Sequence, residues 1–586
     1  MARWHGAYCR VPDVAVDAGV PSCQSCGECW DLESFVAQQR NANPFPQIPP
    51  NENPGDLDLF WPPTVPYARE IEIHCLPQEE DTAPEPPRIY NRELGPEDFR
   101  LLCLQGSADS SSPIRADLEN YAFERCPEYE AVSYAWGGED NDVSPCQPLF
   151  LGPYWDPLPL TNNCWSMLQA LRPTRGMRML WVDAICINQD NAEERAEQVA
   201  RMAFIYRDCR RVISYLGPDL VASPSISSGF PRRQRLEDSV TMADDELFIG
   251  GKVNFLKLIQ RRYFTRVWII QELVLPRQVS IPVGDIELCA DQQTARNLPE
   301  LFWESVGVPW IGFLAQGGVE GAEIFDILLI TADSHSTDPR DRVFGVLALL
   351  PTSRGGHQGP LRPNYSISPL HVSIGISAHC LLALKRTEML FAAAGLNGYP
   401  TWAPDWKVRN QGLALRSEMA AEEKEERRVE STSINWSSTV RKRPPSAQWK
   451  SSAFGNRRTR LALTTAWDHE ACVDGKTGAL SINLVHILQF PTAPELVGTG
   501  GEGGQVFSVQ PRSVPFCGVA DREKAVHLWL TSTGPLHETV DPKTDHLFLL
   551  DEGDKAPLYL VLREDQDGTT DENTFKLIGC CEYLCF

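Results

Sequence analysis

Short apolar runs alternate with longer amphipathic ones through the middle of the chain, and the alternation predicts a layered α/β arrangement. "FRLLCLQ" (99–105) and "PIRADLENYAF" (113–123), parted by the polar "GSADSSS", predict a hairpin with a long turn. "YEAVSYAWGG" (129–138) predicts a strand that runs into an aromatic and two glycines, and "NCWSMLQALR" (163–172) a helix. A second buried strand opens at Leu180, and "RVISYLGP" (211–218) is a third, stopped by Gly217 and Pro218. Helical spacing resumes in "VNFLKLIQRRYFTRVWIIQELVL" (253–275). Residues 322–350 predict two helices parted by a turn, in which Asp338 caps, Pro339 takes the first helical turn, and Arg340, Asp341 and Arg342 form ion pairs.

The segment 180–217 carries the sharpest pattern. Ala192, Ala196, Val199, Met202, Ala203 and Tyr206 recur every three or four residues and give a helix one apolar stripe. Asp190 followed by Glu193 predicts the helix start as a capping box. Glu193, Glu194 and Glu197 then crowd its first turns while Arg207, Arg210 and Arg211 close it, as the helix dipole favours. Capping does not account for Asp183 inside the apolar run, nor for Asn188 and Gln189 after it. A carboxylate in a buried strand needs partners or a site, and the carboxyl ends of parallel strands are where open α/β sheets hold ligands.

Five regions follow from the changes in pattern. Residues 1–84 are irregular and rich in cysteine and proline, 85–285 hold the α/β domain, and 286–416 read as a helical extension. Residues 417–504, with the basic and serine-rich "RKRPPSAQWKSSAFGNRRTR", read as a largely mobile insertion. Residues 505–586 read as β-rich, packing back on the body.

Composition narrows the function. The 586 residues carry a formal charge of −24, which argues against a general nucleic-acid surface or an anionic-membrane surface. No run approaches the roughly 20 apolar residues of a membrane span, and "MARWHGAYCR" lacks the apolar core of a secretory signal. Eighteen cysteines are scattered rather than set in a compact framework, which predicts reduced thiols and a cytoplasmic protein.

Three blocks stand in order: "YEAVSYAWGG", "LWVDAICINQDNAEERAEQVARMAFIYRDC" and "YFTRVWIIQELVL". Together they resemble the signature blocks of the heterokaryon incompatibility (HET) domain of filamentous fungi. "DPRDRVFGVLALL", "TWAPDW" and a closing "GDKAPLYLVLRE" with "FKLIGCCEYL" fit the same family. The resemblance implies a part in non-self recognition and programmed cell death after hyphal fusion. It also implies a distant kinship with Toll/interleukin-1 receptor (TIR) domains, and so a TIR-like, flavodoxin-like parallel sheet with helical and β-rich additions. Some TIR domains cleave NAD+ with a glutamate on a helix.

Carried onto this chain, that likeness makes Glu272 the catalytic carboxylate and NAD+ a substrate, with Trp268 four residues earlier on the same helical face. Ser133, Tyr134, Trp136 and Gly137 would line the substrate site from the first strand, and Asp183, Asn188 and Gln189 from the second. A plainer reading stands beside it. Trp268 can be core, Glu272 can pair with Arg266 or Arg262, Asp183 can anchor nearby amides, and Trp136 with its glycines can form a packed turn.

Two function classes therefore stay open. An NAD+ glycohydrolase needs an open cavity at the strand ends with Glu272 facing it. A signalling or scaffold domain acting by self-association or on an unidentified protein partner needs no cavity and leaves Glu272 buried in an ion pair. A separate candidate lies in "CQSCGEC", where Cys23, Cys26 and Cys29, with Cys9 and His5 upstream, suit a zinc knuckle or a set of free thiols.

Overall fold

A computed structural model describes residues 4–39, 47–68, 89–221, 232–294, 322–350, 361–390 and 471–489, apart from short gaps, with isolated positions near 310 and 400–406 and the strands between 495 and 585. The basic stretch expected to form a mobile insertion begins within 407–470, which lies outside the described residues. The chain divides into two compact units. One comprises residues 1–49 and 74–367, the other 50–73 and 368–586.

The first unit is built on a mixed ten-stranded sheet. In chain order its strands are β1 (Asp98–Gln105), β2 (Arg115–Ala122), β3 (Glu130–Tyr134), β4 (Pro145–Leu151), β5 (Asp156–Thr161), β6 (Met177–Trp181), β7 (Val212–Tyr215), β8 (Arg232–Arg235), β9 (Gln278–Val283) and β10 (Ile286–Asp291). Across the sheet they run β8-β10-β9-β7-β3-β6-β1-β2-β4-β5. The four central strands β9, β7, β3 and β6 are mutually parallel. The hairpin β1–β2 adds antiparallel to β6, as the two runs around "GSADSSS" predict. The protein is thus α/β, but its sheet is mixed where a parallel core was expected to dominate. The sheet also continues past residue 285, because β10 pairs antiparallel with β9.

Strand β3 is buried because it is central, and from Ala131 to Tyr134 all its side chains are enclosed. At its opposite, amino end a charge network closes the sheet. Glu130 accepts from Arg178 Nε and Arg211 Nε, each at 2.6 Å, while Arg211 and Arg233 meet Glu287. These arginines hold both carboxylates below the usual range against the opposing effect of burial. The charges at this end are paired and structural.

Helix α1 (Asn162–Leu171) follows β5 and is capped by Thr161, whose hydroxyl accepts from Cys164 N. A single helical turn, α2 (Asp183–Cys186), follows β6, and α3 (Ala192–Asp208) leads to β7. Its stripe packs as expected through Val199, Met202, Ala203 and Tyr206, but Ala192 is exposed and Arg195 is buried in its place. Trp181 from β6 stacks edge-on against Tyr206, with ring centres 5.3 Å apart. The predicted cap is off by one residue: Asn191, not Asp190, accepts from the amides of Glu193 and Glu194 at 3.1 Å. Glu194 rather than Glu193 folds back, taking the Asn188 amide at 2.7 Å and the buried Arg100 guanidinium.

The long helical pattern at 253–275 breaks into pieces, the last being α4 (Trp268–Val274). The two helices expected in 322–350 are present as Ile324–Ile330 and α5 (Asp341–Leu347). Gly345 lets α5 approach α4, since a methyl group there would sit 3.2 Å from Val267 Cγ1. Arg340 pairs with Asp338 as expected, but Asp341 and Arg342 do not join that ion pair. Asp341 accepts hydrogen bonds from Tyr365 and Trp268, and Arg342 donates to the Ala332 carbonyl.

The second unit holds a helix at Pro369–Ala378, capped by Ser368, and β-strands from Cys472 onward. Two four-stranded sheets account for most of them. Arg563 binds the buried Asp545 through two nitrogens at 2.7 and 2.8 Å.

Candidate functional site

The carboxyl ends of β3 and β6 are joined by one side-chain contact. Trp136, two residues past β3, donates its indole N–H to Asp183 Oδ2 at 2.9 Å. The β3 loop is pinned from behind, where Asn163 Nδ2 donates to Ala135 O at 2.6 Å and Thr161 Oγ1 to Trp136 O at 2.7 Å. Gly137 is required by space: a methyl group there would lie 2.7 Å from the Asn141 carbonyl carbon. Asp183 ends the buried run and starts α2, with its Oδ1 taking the Ala184 amide at 2.7 Å. Gln189 Nε2 closes the loop on the Asp183 carbonyl at 3.0 Å.

These loops wall a cavity of about 650 Å³, a size suited to a small-molecule ligand. Trp136, Gly137, Asp183, Gln189 and Trp268 all line it. So do Arg195, Arg262 and Arg266, opposite the acidic Glu139, Asp338 and Asp341. Arg266 is held in place by the Tyr134 carbonyl at 2.5 Å, and Asp338 is occupied by Arg340. Burial and the neighbouring Asp338 charge push the Asp341 carboxyl up, so it carries a proton more readily than an ordinary aspartate. Asp183 is also raised, mainly by burial, although the Trp136 indole and the Arg266 charge act against that.

Arg195 is the group that the sequence reading passed over. It is 8% exposed, its guanidinium lies 4.1 Å from the Tyr365 ring centre, and its Nε has no hydrogen-bond partner. A buried guanidinium with an unused donor costs free energy unless something fills the vacancy. Its signal in the sequence is positional. Arg195, Val199 and Met202 stand at i, i+4 and i+7, and all three line the cavity.

Glu272 sits one layer deeper. It is buried, does not line the cavity, and accepts from the Ser133 hydroxyl, which in turn lies 2.6 Å from the Tyr263 hydroxyl. Burial pushes its carboxyl up to about 7, with the Asp183 charge adding to the shift and Arg266 and Ser133 opposing it. Ser133 and Tyr134 share this inner layer, since neither lines the cavity. Asn188 stands away from it too, its side chain accepting from the Asp190 amide at 3.3 Å.

In the amino-terminal region, Cys9, Cys23, Cys26 and His5 converge, with one ligand atom of each within 4.8 Å of all the others. Cys29 is exposed and stands outside that group.

Comparison with known proteins agrees with this placement of the site. The family described as Heterokaryon incompatibility protein (HET) matches residues 129–272, from the residue before β3 into α4. Heterokaryon incompatibility protein 6, OR allele, of Neurospora crassa is 28% identical over 215 residues, covering 30% of this chain and 32% of that protein. Vegetative incompatibility protein HET-E-1 of Podospora anserina is 28% identical over 264 residues, covering 45% of this chain and 17% of that protein. The chain thus spans about a third or less of the length of these relatives. No solved structure matches. The signature blocks, the family match and both relatives converge on the same strands and helices, and this chain is a HET-domain family protein.

Proposed function

We propose that this chain acts in heterokaryon incompatibility, the role carried in the name of its Neurospora crassa relative. In this reading its HET domain takes a dinucleotide of the NAD+ class into the cavity and cleaves the bond to nicotinamide. The carrying observation is the buried Arg195 on the cavity wall with an unpartnered nitrogen, across from the Trp136–Asp183 pair. An arginine suits a diphosphate, an indole suits a base or a nicotinamide ring, and a carboxylate suits the positive charge that grows at the sugar. The parallel strands support the TIR-like part of the reading. Numbered by their order in the chain, they lie second, first, third, fourth, as in flavodoxin-like sheets.

Cleavage would break the bond between C1′ and the nicotinamide nitrogen, the electron pair leaving with nicotinamide. Water would add its oxygen to C1′ and release a proton. Asp183 is the carboxylate placed to face that carbon, and Glu272 supports it from the layer beneath.

A second reading is favoured by the burial of Glu272 behind the cavity wall. Here the domain binds the nucleotide without turnover and signals by self-association or through a partner. Nicotinamide release from NAD+ by the purified chain, with Asp183→Asn and Glu272→Gln as variants, separates the two. Turnover lost in both variants supports cleavage. Binding of ADP-ribose in calorimetry with no turnover supports the second reading, and binding of neither compound at millimolar concentration overturns both.

A further inference from the structure

We infer that His5, Cys9, Cys23 and Cys26 form a structural zinc site that fastens the amino-terminal segment to the β4–β5 hairpin. The reading is independent of the nucleotide cavity.

The geometry is that of a tetrahedral zinc. Ligand distances of about 2.3 Å to sulfur and about 2.0 Å to nitrogen set two sulfurs about 3.8 Å apart, and a sulfur and a nitrogen about 3.5 Å apart. The Cys9 and Cys23 sulfurs are separated by 3.8 Å, and Cys26 Sγ lies 3.9 Å from His5 Nδ1. All four ligand atoms fall within 4.8 Å of one another. A disulfide would need the two sulfurs at about 2.05 Å, and each of these cysteines is free.

The surroundings prepare the ligands. His5 Nε2 is 2.8 Å from the Tyr154 carbonyl. A carbonyl can only accept, so Nε2 carries the proton and Nδ1 turns its lone pair towards the sulfurs, the usual outer-shell arrangement of a metal-bound histidine. Cys23 and Cys26 frame a tight turn in which the Gly27 amide donates to the Cys23 carbonyl at 2.7 Å and Gly27 adopts φ +77°. The backbone amides of Ser25 and Cys26 point at the Cys23 sulfur. Three thiolates and one neutral imidazole close the coordination shell, as in structural rather than catalytic zinc centres.

The site also has something to hold. Trp4 donates its indole N–H to the Trp155 carbonyl at 2.9 Å, Tyr154 donates its hydroxyl to the Arg10 carbonyl at 3.0 Å, and Trp30 packs edge-on against Phe150. Little regular structure supports this segment beyond one short hairpin, Val14–Asp17 with Val20–Cys23. Small irregular segments of this kind draw on metal binding for their folding energy.

The test is the zinc content of the full chain, purified under reductant without chelator, for the wild type and three single variants. One zinc per chain is expected in the wild type and in Cys29→Ser, with only traces in Cys26→Ser and His5→Ala. Because those two variants could fail to fold, metal-free wild type is also titrated with cobalt(II). Tetrahedral thiolate absorption should rise to a single equivalent and be bleached by one equivalent of zinc. Chelation should lower the first thermal transition of the wild type. Wild type that carries only traces of zinc and gives no cobalt absorption overturns the inference. So does a result in which Cys29→Ser loses the metal and His5→Ala keeps it.

Discussion

Trp136 and Asp183, 47 residues apart in the chain, meet through an indole N–H to carboxylate bond of 2.9 Å that ties the loop after β3 to the loop after β6. The bond fixes the plane of the indole on the cavity wall and gives the half-buried carboxylate a partner. A hydrogen bond to a charged group contributes about 1.5–3 kcal/mol to stability, and a buried group left without its partner costs a comparable amount. Trp136→Phe and Asp183→Ala should each destabilise the domain. Because each removes the same bond, the double variant should cost less than their sum by about 1–2 kcal/mol. Urea denaturation of the four proteins measures that coupling, and additive losses would show that the bond carries no energy of its own.

Arg195 offers a cleaner probe of ligand binding, because its Nε has no hydrogen bond to lose. Arg195→Met keeps the unbranched stem against Val199 and Met202 while removing the charge. Its stability should fall by less than about 1 kcal/mol, or rise, since a buried unpaired guanidinium is itself costly. Affinity for ADP-ribose should drop at least about tenfold, in keeping with the loss of one charge-assisted contact. Calorimetry on both proteins decides, and unchanged affinity would place the diphosphate elsewhere.

The central strands were legible because each is a compact apolar run ended by glycine, proline or a polar cluster. Arg195 was hidden by the same logic, since a stripe is read from apolar residues and a buried arginine within it looks like a break. β8, with the sequence Arg-Arg-Gln-Arg, gave no strand signal at all. It is paired through its backbone to β10 and its side chains are mostly exposed, so tertiary context rather than pattern places it. His5 carries no local signal either, because its partners arrive from residues 23, 26 and 154. Glu272 was found by its spacing from Trp268. Spacing reports the face of a helix, and Trp268 reaches the cavity while Glu272 turns into the layer below.

The start of α3 distinguishes neighbours that pattern alone cannot. Asp190 and Asn191 are both good caps, but only the Asn191 side chain accepts from the first helical amides. Asn191→Ala should therefore cost about 1 kcal/mol, and Asp190→Ala within about 0.5 kcal/mol of nothing. Thermal melts of the two variants give the comparison, and equal losses would return the cap to Asp190.

Gly137 tests how tightly the β3 loop is built. A methyl group there would lie 2.7 Å from the Asn141 carbonyl carbon and 2.9 Å from its Cα, both backbone atoms that cannot swing aside as a side chain would. Gly137→Ala should destabilise by about 1–3 kcal/mol, the range for overpacking, and should also weaken ligand binding by moving Trp136. Gly152→Ala is the control, because nothing lies within 4 Å of that position, although its φ of +66° adds a modest backbone cost. A larger loss at Gly152 than at Gly137 would contradict the steric account.

The buried Glu272 predicts a pH dependence whose sign runs opposite to that of a salt-bridged carboxylate. Its folded pKa is raised from 4.5 to about 7, mainly by burial, so between those values the native state holds a proton that the unfolded chain has released. Stability from this group is then fully present below about 4.5 and declines as pH rises towards 7, because the unfolded state binds fewer protons across that window. The shift corresponds to a loss of roughly 3 kcal/mol at most. Asp341 is raised by the same cause and loses stability in the same direction. Glu272→Gln keeps the shape and the hydrogen bond from Ser133 but cannot ionise, so it removes the Glu272 contribution and leaves that of Asp341. The stability of Glu272→Gln relative to wild type should accordingly improve from pH 5 to pH 8 by up to about 3 kcal/mol. Urea midpoints at those two pH values, with slopes checked for equality, measure it. A difference that stays constant with pH would mean that Glu272 is already ionised at pH 5, held by positive charge rather than by the hydroxyls around it.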